Sequence, residues 1–209
     1  ACDCAESRPG AATPSLRRRC SSTEAGPTLR ASLGAWYVGK MRLAVRLETP
    51  EDVATIHALN AAAFKTDAEA RLVDSLRASA ALTLSLVAVL DGIVVGHIAF
   101  SPVTIESDAR IIHGIGLAPM AVAPSHQRQG IGTRLIEEGL RTLRVQGQPF
   151  CVVLGHVNYY PRHGFVRANT YGIRWEHGHD EAFFVQALKS GGLAGAAGVV
   201  RYRPEFDAL

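Results

Sequence analysis

The stretch Gly116–Arg144, GLAPMAVAPSHQRQGIGTRLIEEGLRTLR, holds the spacing in this chain best suited to chemistry. An apolar run, Leu117 to Val122, breaks at Pro124-Ser125-His126. It then passes through Gln127-Arg128-Gln129-Gly130-Ile131-Gly132 into a strongly helical segment. Glycines at 130 and 132 let the backbone approach a ligand closely, because neither carries a Cβ. Loop amides and the first free N–H groups of the helix then converge on one spot where an anion can sit. Arg128 and Arg134 add positive charge. The plain alternative is a tight turn before a helix. No Gly-Lys-Ser/Thr ending is present and no third glycine completes a GxGxxG, so neither a P-loop nor a dinucleotide fingerprint is written here.

The elements that must position this loop follow from periodicity. Met41 to Leu47 alternates Leu43, Val45 and Leu47 with Arg42, Ala44 and Arg46, which predicts a half-buried strand. Thr49-Pro50-Glu51-Asp52 reads as a helix start with Thr49 as N-cap, and Val53, Ile56, Leu59, Asn60 and Ala63 share one side of the helix that follows. Glu69–Arg77 predicts a second helix. Leu84–Leu90, the turn Asp91-Gly92 and Ile93–Phe100 predict a hairpin, with Pro102 at a bend or edge. Ile111–Val122 is the strand entering the loop, and Gly114 and Gly116 within it suggest a bulge or a close ligand. The helix after Gly132 presents Leu135, Ile136, Leu140, Leu143 and Val145. Phe150–Leu154 is a buried strand, Asn158–Gly164 a turn of helix, and Trp175 and Phe183–Leu188 late strands.

Composition bounds the function. With 209 residues and 47% hydrophobic content, the chain holds one core of good size. No apolar run approaches the roughly 20 residues that span a membrane. The net charge of +3 resides in residues 1–40, which carry six basic and three acidic side chains; residues 41–209 carry sixteen of each. A body neutral on balance does not steer nucleic acid. Three of four cysteines, Cys2, Cys4 and Cys20, lie in the same tail, without a persuasive fourth metal ligand. Cys151 sits in an apolar run and reads as a buried, inert thiol, so a reducing cytoplasmic location is expected. Residues 1–40 are rich in Gly, Pro, Ser and Arg and are expected to be disordered. The first methionine is Met41, where the periodic pattern begins, so residue 41 is the expected native start and the preceding extension is expected to be foreign to the native protein.

Gln127, Gly130 and Gly132, preceded by Val122-x-Pro124, resemble the acetyl-CoA signature Gln/Arg-x-x-Gly-x-Gly/Ala of the GNAT N-acetyltransferases. Leu154-Gly155-His156, Tyr159-Tyr160-Pro161-Arg162-His163-Gly164-Phe165 and the ending Val200–Phe206 resemble the YhbS-type branch of that family. The resemblance covers about residues 41–190. It implies an α+β fold, a mixed central β-sheet flanked by helices, over residues 41–209. It also implies a strand that splays from its neighbour and offers the backbone of Met120, Ala121 and Val122 to the pantetheine arm, one amide serving as oxyanion donor. Pyrophosphate contacts would come from Gln127, Arg128, Gln129, Gly130, Ile131, Gly132 and Thr133. Tyr160, four residues before Gly164, would be the general acid for the thiolate. Many members carry an asparagine about seven residues before that tyrosine; here Val153 stands there and Asn158 lies closer. The base is left open among His156, which ranks first, His97, His113 and a water held by strand carbonyls.

The activity so implied is direct transfer from acetyl-CoA to a primary amine of a small molecule or peptide, by a monomer or homodimer, without metal, nucleic acid or membrane. A non-catalytic acyl-CoA sensor on the same fold is the competing expectation. His177 and His179 read as a solvated turn.

Overall fold

The computed structural model describes residues 35–38 and 41–208, with side chains from residue 42 onward. The expected disorder of residues 1–34 and the cysteines within them lie outside the described residues. Ala35–Val38, inside the stretch expected to be disordered, forms β1 and pairs antiparallel with β2 (Met41–Leu47).

Thr49 caps a 3-10 turn, Pro50–Asp52, rather than α1 itself, which runs Val53–Phe64. The Asp52 carboxylate explains this: it accepts from Thr49 N at 2.8 Å and from the Arg46 guanidinium at 2.5 and 2.9 Å, which ties the turn to the end of β2. After α2 (Ala68–Ala78) comes the hairpin of β3 (Leu84–Leu90) and β4 (Ile93–Glu106). Its turn residues Asp91 and Gly92 both have positive φ, 46° and 88°, as a two-residue turn matched to strand twist requires. β4 runs through Pro102, because that proline falls where β4 has a free edge: pairing with β3 ends at Phe100 and pairing with β10 begins at Thr104.

β5 (Ile111–Val122) pairs along β4. α3 (Ile131–Val145) then leads to β6 (Phe150–Leu154), and the short β7 (Val166–Arg167) and β8 (Ile173–Trp175) precede β9 (Phe183–Ala187) and β10 (Gly198–Arg201). The described strands form one mixed sheet ordered β1-β2-β3-β4-β5-β6-β9-β7, with β10 joining β4 to β8. The α+β mixed sheet with flanking helices expected from the sequence is the architecture found.

α3 covers one face, packing Leu135, Ile136, Leu140 and Leu143 on Leu86, Ile98, Phe100 and Leu117. Val145 does not join them and is 67% exposed. It lies two residues past Leu143, about 200° around the helix. On the opposite face, Ile56 and Val73 of α1 and α2 cover Val87, and Val103, Ile105, Phe150, Val152, Phe183 and Val185 form a second core beneath β8 and β10. Gly114 and Gly116 mark neither a bulge nor a ligand approach. A Cβ on Gly114 would strike the Phe150 ring, and one on Gly116 would lie 2.5 Å from Tyr202 Cε1. No helix among the described residues is long and apolar enough to cross a membrane.

Candidate active site

β5 and β6 run parallel but pair only at Ile115–Cys151 and Gly116–Val152. Beyond that, β5 continues to Val122 held by β4 alone, while Val153 and Leu154 are held by β9. The two facing edges diverge with their backbone groups unpaired across the gap, the condition in which an extended ligand can complete a ladder. The irregularity in β5 lies here and not at its glycines. Leu117 opposes Phe100 and Met120 opposes Ile98, so Ala118-Pro119 form a bulge against Ala99. Met120 and Val122 then pack toward α3, whereas Ala121 is buried on the other face.

The gap leads to the glycine loop. Gln127 Nε2 donates to Val122 O at 3.1 Å and Gln129 Nε2 to Ser125 O at 3.2 Å, fastening the loop to the strand end. Arg128 and Gly130 both take left-handed backbone, φ 60° and 82°. Gly130 is the N-cap of α3, and no side chain bonds the helix end. The amides of Ile131, Gly132 and Thr133 are therefore the uncapped donors of a 15-residue helix, with its positive dipole end behind them. Gly132 lies inside the helix rather than before it, and its missing Cβ serves a close approach: that atom would be 2.8 Å from the Tyr159 hydroxyl and 3.6 Å from Met120 Cε. Arg134 pairs with Glu137 at 2.9 Å.

The two adjacent tyrosines divide. Tyr159 is half-buried, sends its hydroxyl to Thr133 at the start of α3, and has its pKa raised by burial. Tyr160 is 7% exposed and packs edge-on against Phe165 at 5.7 Å, beside Phe184 and over Gly155. Burial raises its pKa, with Tyr159 and Cys151 acting in the same sense. Cys151 is fully buried, and loss of solvation pushes its thiol up as well.

The three histidines separate clearly. His113 pairs with Thr104 near the start of β5, far from the divergent end. His156 is exposed, just past β6, and lines a groove of about 400 Å³ with Val157, Asn158, Tyr159 and Arg162. His97 is sealed, and burial lowers its pKa to about 4. Its Nδ1 faces Asn60 Nδ2 at 3.1 Å and its Nε2 faces Ser85 Oγ at 3.0 Å. Ser85 donates to Glu48, which holds Arg77 in two contacts of 2.9 and 3.1 Å. An amide that donates to Nδ1 fixes the proton on Nε2, so both ring nitrogens are committed. Only a faint signal of this chain of contacts is legible in the sequence: Asn60 on an otherwise apolar helix side and His97 within an apolar strand. His177 and His179 stack near Trp175, and among the described residues no group of three His, Cys, Asp or Glu side chains is gathered as a metal site.

Comparison with known proteins bears on this geometry. A model of the acetyltransferase (GNAT) domain matches residues 82–167. The chain is similar to the uncharacterized N-acetyltransferase YhbS of Escherichia coli K12, 39% identical over 166 residues that cover 78% of this chain and 98% of that protein. It is also similar to E. coli YjhQ, at 45% over 118 residues, 54% of this chain and 64% of the relative. Among solved structures, E. coli YhbS in complex with CoA superposes with a TM-score of 0.76 at 38% identity, covering 81% of this chain and 94% of the other. A GNAT family acetyltransferase from Brucella melitensis in complex with acetyl-CoA gives 0.64 at 39% identity, covering 79% and 98%.

Proposed function

Because the chain belongs to the GNAT family of N-acetyltransferases, we propose that it transfers the acetyl group of acetyl-CoA directly to a primary amine of a small molecule or peptide. The observation that carries this reading is the early parting of β5 from β6, with the gap ending at the uncapped start of α3. The pantetheine arm lies along Met120, Ala121 and Val122 as a missing strand. The pyrophosphate sits on the amides of Gln127 through Thr133, where loop and helix dipole favour an anion. The CoA and acetyl-CoA complexes of the E. coli and Brucella relatives support acetyl-CoA as the ligand of this gap.

In the reaction, the neutral amine attacks the thioester carbonyl, and a backbone amide of the Met120–Val122 stretch holds the oxyanion. The C–S bond then breaks. The Tyr160 hydroxyl, protonated at neutral pH, gives its proton to the leaving thiolate. The amine's surplus proton leaves to His156, the one histidine of the three that is exposed beside the gap. The buried Cys151 thiol is unsuited to forming an acetyl-enzyme, which favours single displacement.

Calorimetric titration with acetyl-CoA and with CoA tests the first half of the proposal, and a thiol-release assay over a panel of primary amines the second. Micromolar binding with amine-dependent release is expected. Absence of binding at millimolar ligand would refute it.

A further inference from the structure

Tyr202 lies across the sheet from α3. Gly116 makes room for it, so the ring rests on the backbone of the last β5 residue that pairs with β6. Val103, also on that face, would touch the same Cβ position at 2.7 Å, which fixes which side of the sheet the ring occupies. Burial is the main cause that raises the Tyr202 pKa, and Cys151 and Tyr160, which belong to the core beneath α3, act on its hydroxyl in the same sense. Two phenols thus approach one gap from opposite faces.

Tyr202 and the bulge residue Ala118 are both partly exposed, although Leu117 and Ala99 beside them are buried. No hydrogen bond engages the Tyr202 hydroxyl among the described residues. Ser101, directly opposite Gly116, is fully buried and its Oγ has no partner. Two hydroxyls with unused hydrogen-bonding capacity therefore flank the point where the sheet opens, and such groups are costly to leave unpaired.

The wall around them is aromatic. Tyr202 lies 4.8 Å from Phe206 and 6.4 Å from Trp175, and all three rings are partly exposed. Two nearby carboxylates are already neutralised: Glu176 by Arg201, and Glu205 by Arg203 at 2.9 Å. Glu205 also accepts from Ser79 Oγ at 2.6 Å, strapping the segment that carries Tyr202 and Phe206 to the end of α2.

We propose that Tyr202 receives the acceptor: its hydroxyl hydrogen-bonds the incoming amine at the parting of β5 and β6, and the aromatic wall selects an amine carried on an apolar or aromatic chain over a polyamine. This rests on the acetyltransferase reading and adds to it the acceptor side of the site and the acceptor's chemical class. An apolar body loses hydration against the three rings, whereas each further ammonium of a polyamine must be desolvated against them, and the cation–π attraction of an exposed ring is small beside that cost.

The test uses the full chain with phenethylamine and spermidine as probes, in the wild type and in Tyr202→Phe, which removes one oxygen and leaves the packing intact. Phenethylamine is expected to be acetylated with a kcat/KM at least tenfold above spermidine. Tyr202→Phe is expected to raise the phenethylamine KM about tenfold, with acetyl-CoA affinity unchanged within twofold. A preference for spermidine, a variant with wild-type KM, or acetyl-CoA binding without turnover of either amine would each overturn the proposal. Failure of the wild type to bind acetyl-CoA would instead remove the acetyltransferase reading beneath it.

Discussion

The Tyr159 hydroxyl stands 2.8 Å from the point where a Cβ on Gly132 would lie, and that point is also 3.6 Å from Met120 Cε. Strand, helix start and tyrosine turn therefore meet at one atom-sized clearance. In Gly132→Ala the helix gains up to about 1 kcal/mol of propensity, so the melting temperature is expected to hold or rise slightly. The tyrosine must move, however, and with it the wall of the gap. Acetyl-CoA affinity measured by calorimetry is expected to fall about tenfold, near 1.4 kcal/mol. Unchanged affinity would separate Gly132 from the ligand site.

Gly139 provides the contrast on the same helix. Its missing Cβ admits the edge of the Phe100 ring, which is fully buried between α3 and the sheet. Overpacking a core costs about 1–3 kcal/mol. Gly139→Ala is thus expected to lower stability in urea by about 1–2 kcal/mol after the gain in helix propensity. Acetyl-CoA affinity should not change, because Gly139 is two turns from the helix start.

How far the sequence displays these relationships depends on their range. β3, β5 and β6 run over Leu84–Leu90, Ile111–Val122 and Phe150–Leu154, the bounds that alternation and turn residues predict, because those signals are local. The glycine loop is legible for the same reason. Gly114 and Gly116 were not: their partners, Phe150 and Tyr202, are remote in sequence and no local pattern names them. The family resemblance singles out Tyr160 by its place four residues before Gly164, but which of two adjacent rings is sealed depends on how a short 3-10 turn sits on Gly155 and Phe165. The Glu48–Ser85–His97–Asn60 chain draws on three separate elements and the residue after β2, and is visible only after folding.

His97 gives the fold a pH signature. Its pKa falls from 6.5 to about 4 because burial disfavours the imidazolium. Between those values the unfolded chain binds a proton that the folded chain refuses, so stability rises with pH across this window and is lost as pH falls from 6.5 toward 4. The full shift corresponds to about 3 kcal/mol. Asp52 and Glu205, held down to about 2 by arginine partners, lose their contributions progressively as pH falls from about 5 toward 2. Urea denaturation at pH 7, 6 and 5 should show a slope that flattens in His97→Gln; an unaltered slope in that variant would assign the dependence to another group.

Tyr160→Phe separates chemistry from binding. The ring packs against Phe165 and Phe184, and Phe at 160 keeps those contacts. The hydroxyl makes no hydrogen bond among the described residues, so its removal orphans no partner and stability should change by less than about 1 kcal/mol. If the hydroxyl protonates the thiolate, kcat in the thiol-release assay should drop about 10²- to 10⁴-fold, the usual contribution of general acid catalysis. Acetyl-CoA affinity should stay within twofold of wild type. Product inhibition by CoA adds a second readout: removal of the proton donor leaves CoA binding intact, so the inhibition constant should be unaltered while kcat falls. Wild-type kcat in this variant would exclude Tyr160 as the acid and leave the neighbouring Tyr159, whose hydroxyl meets Thr133 at the helix start, as the phenol to substitute next.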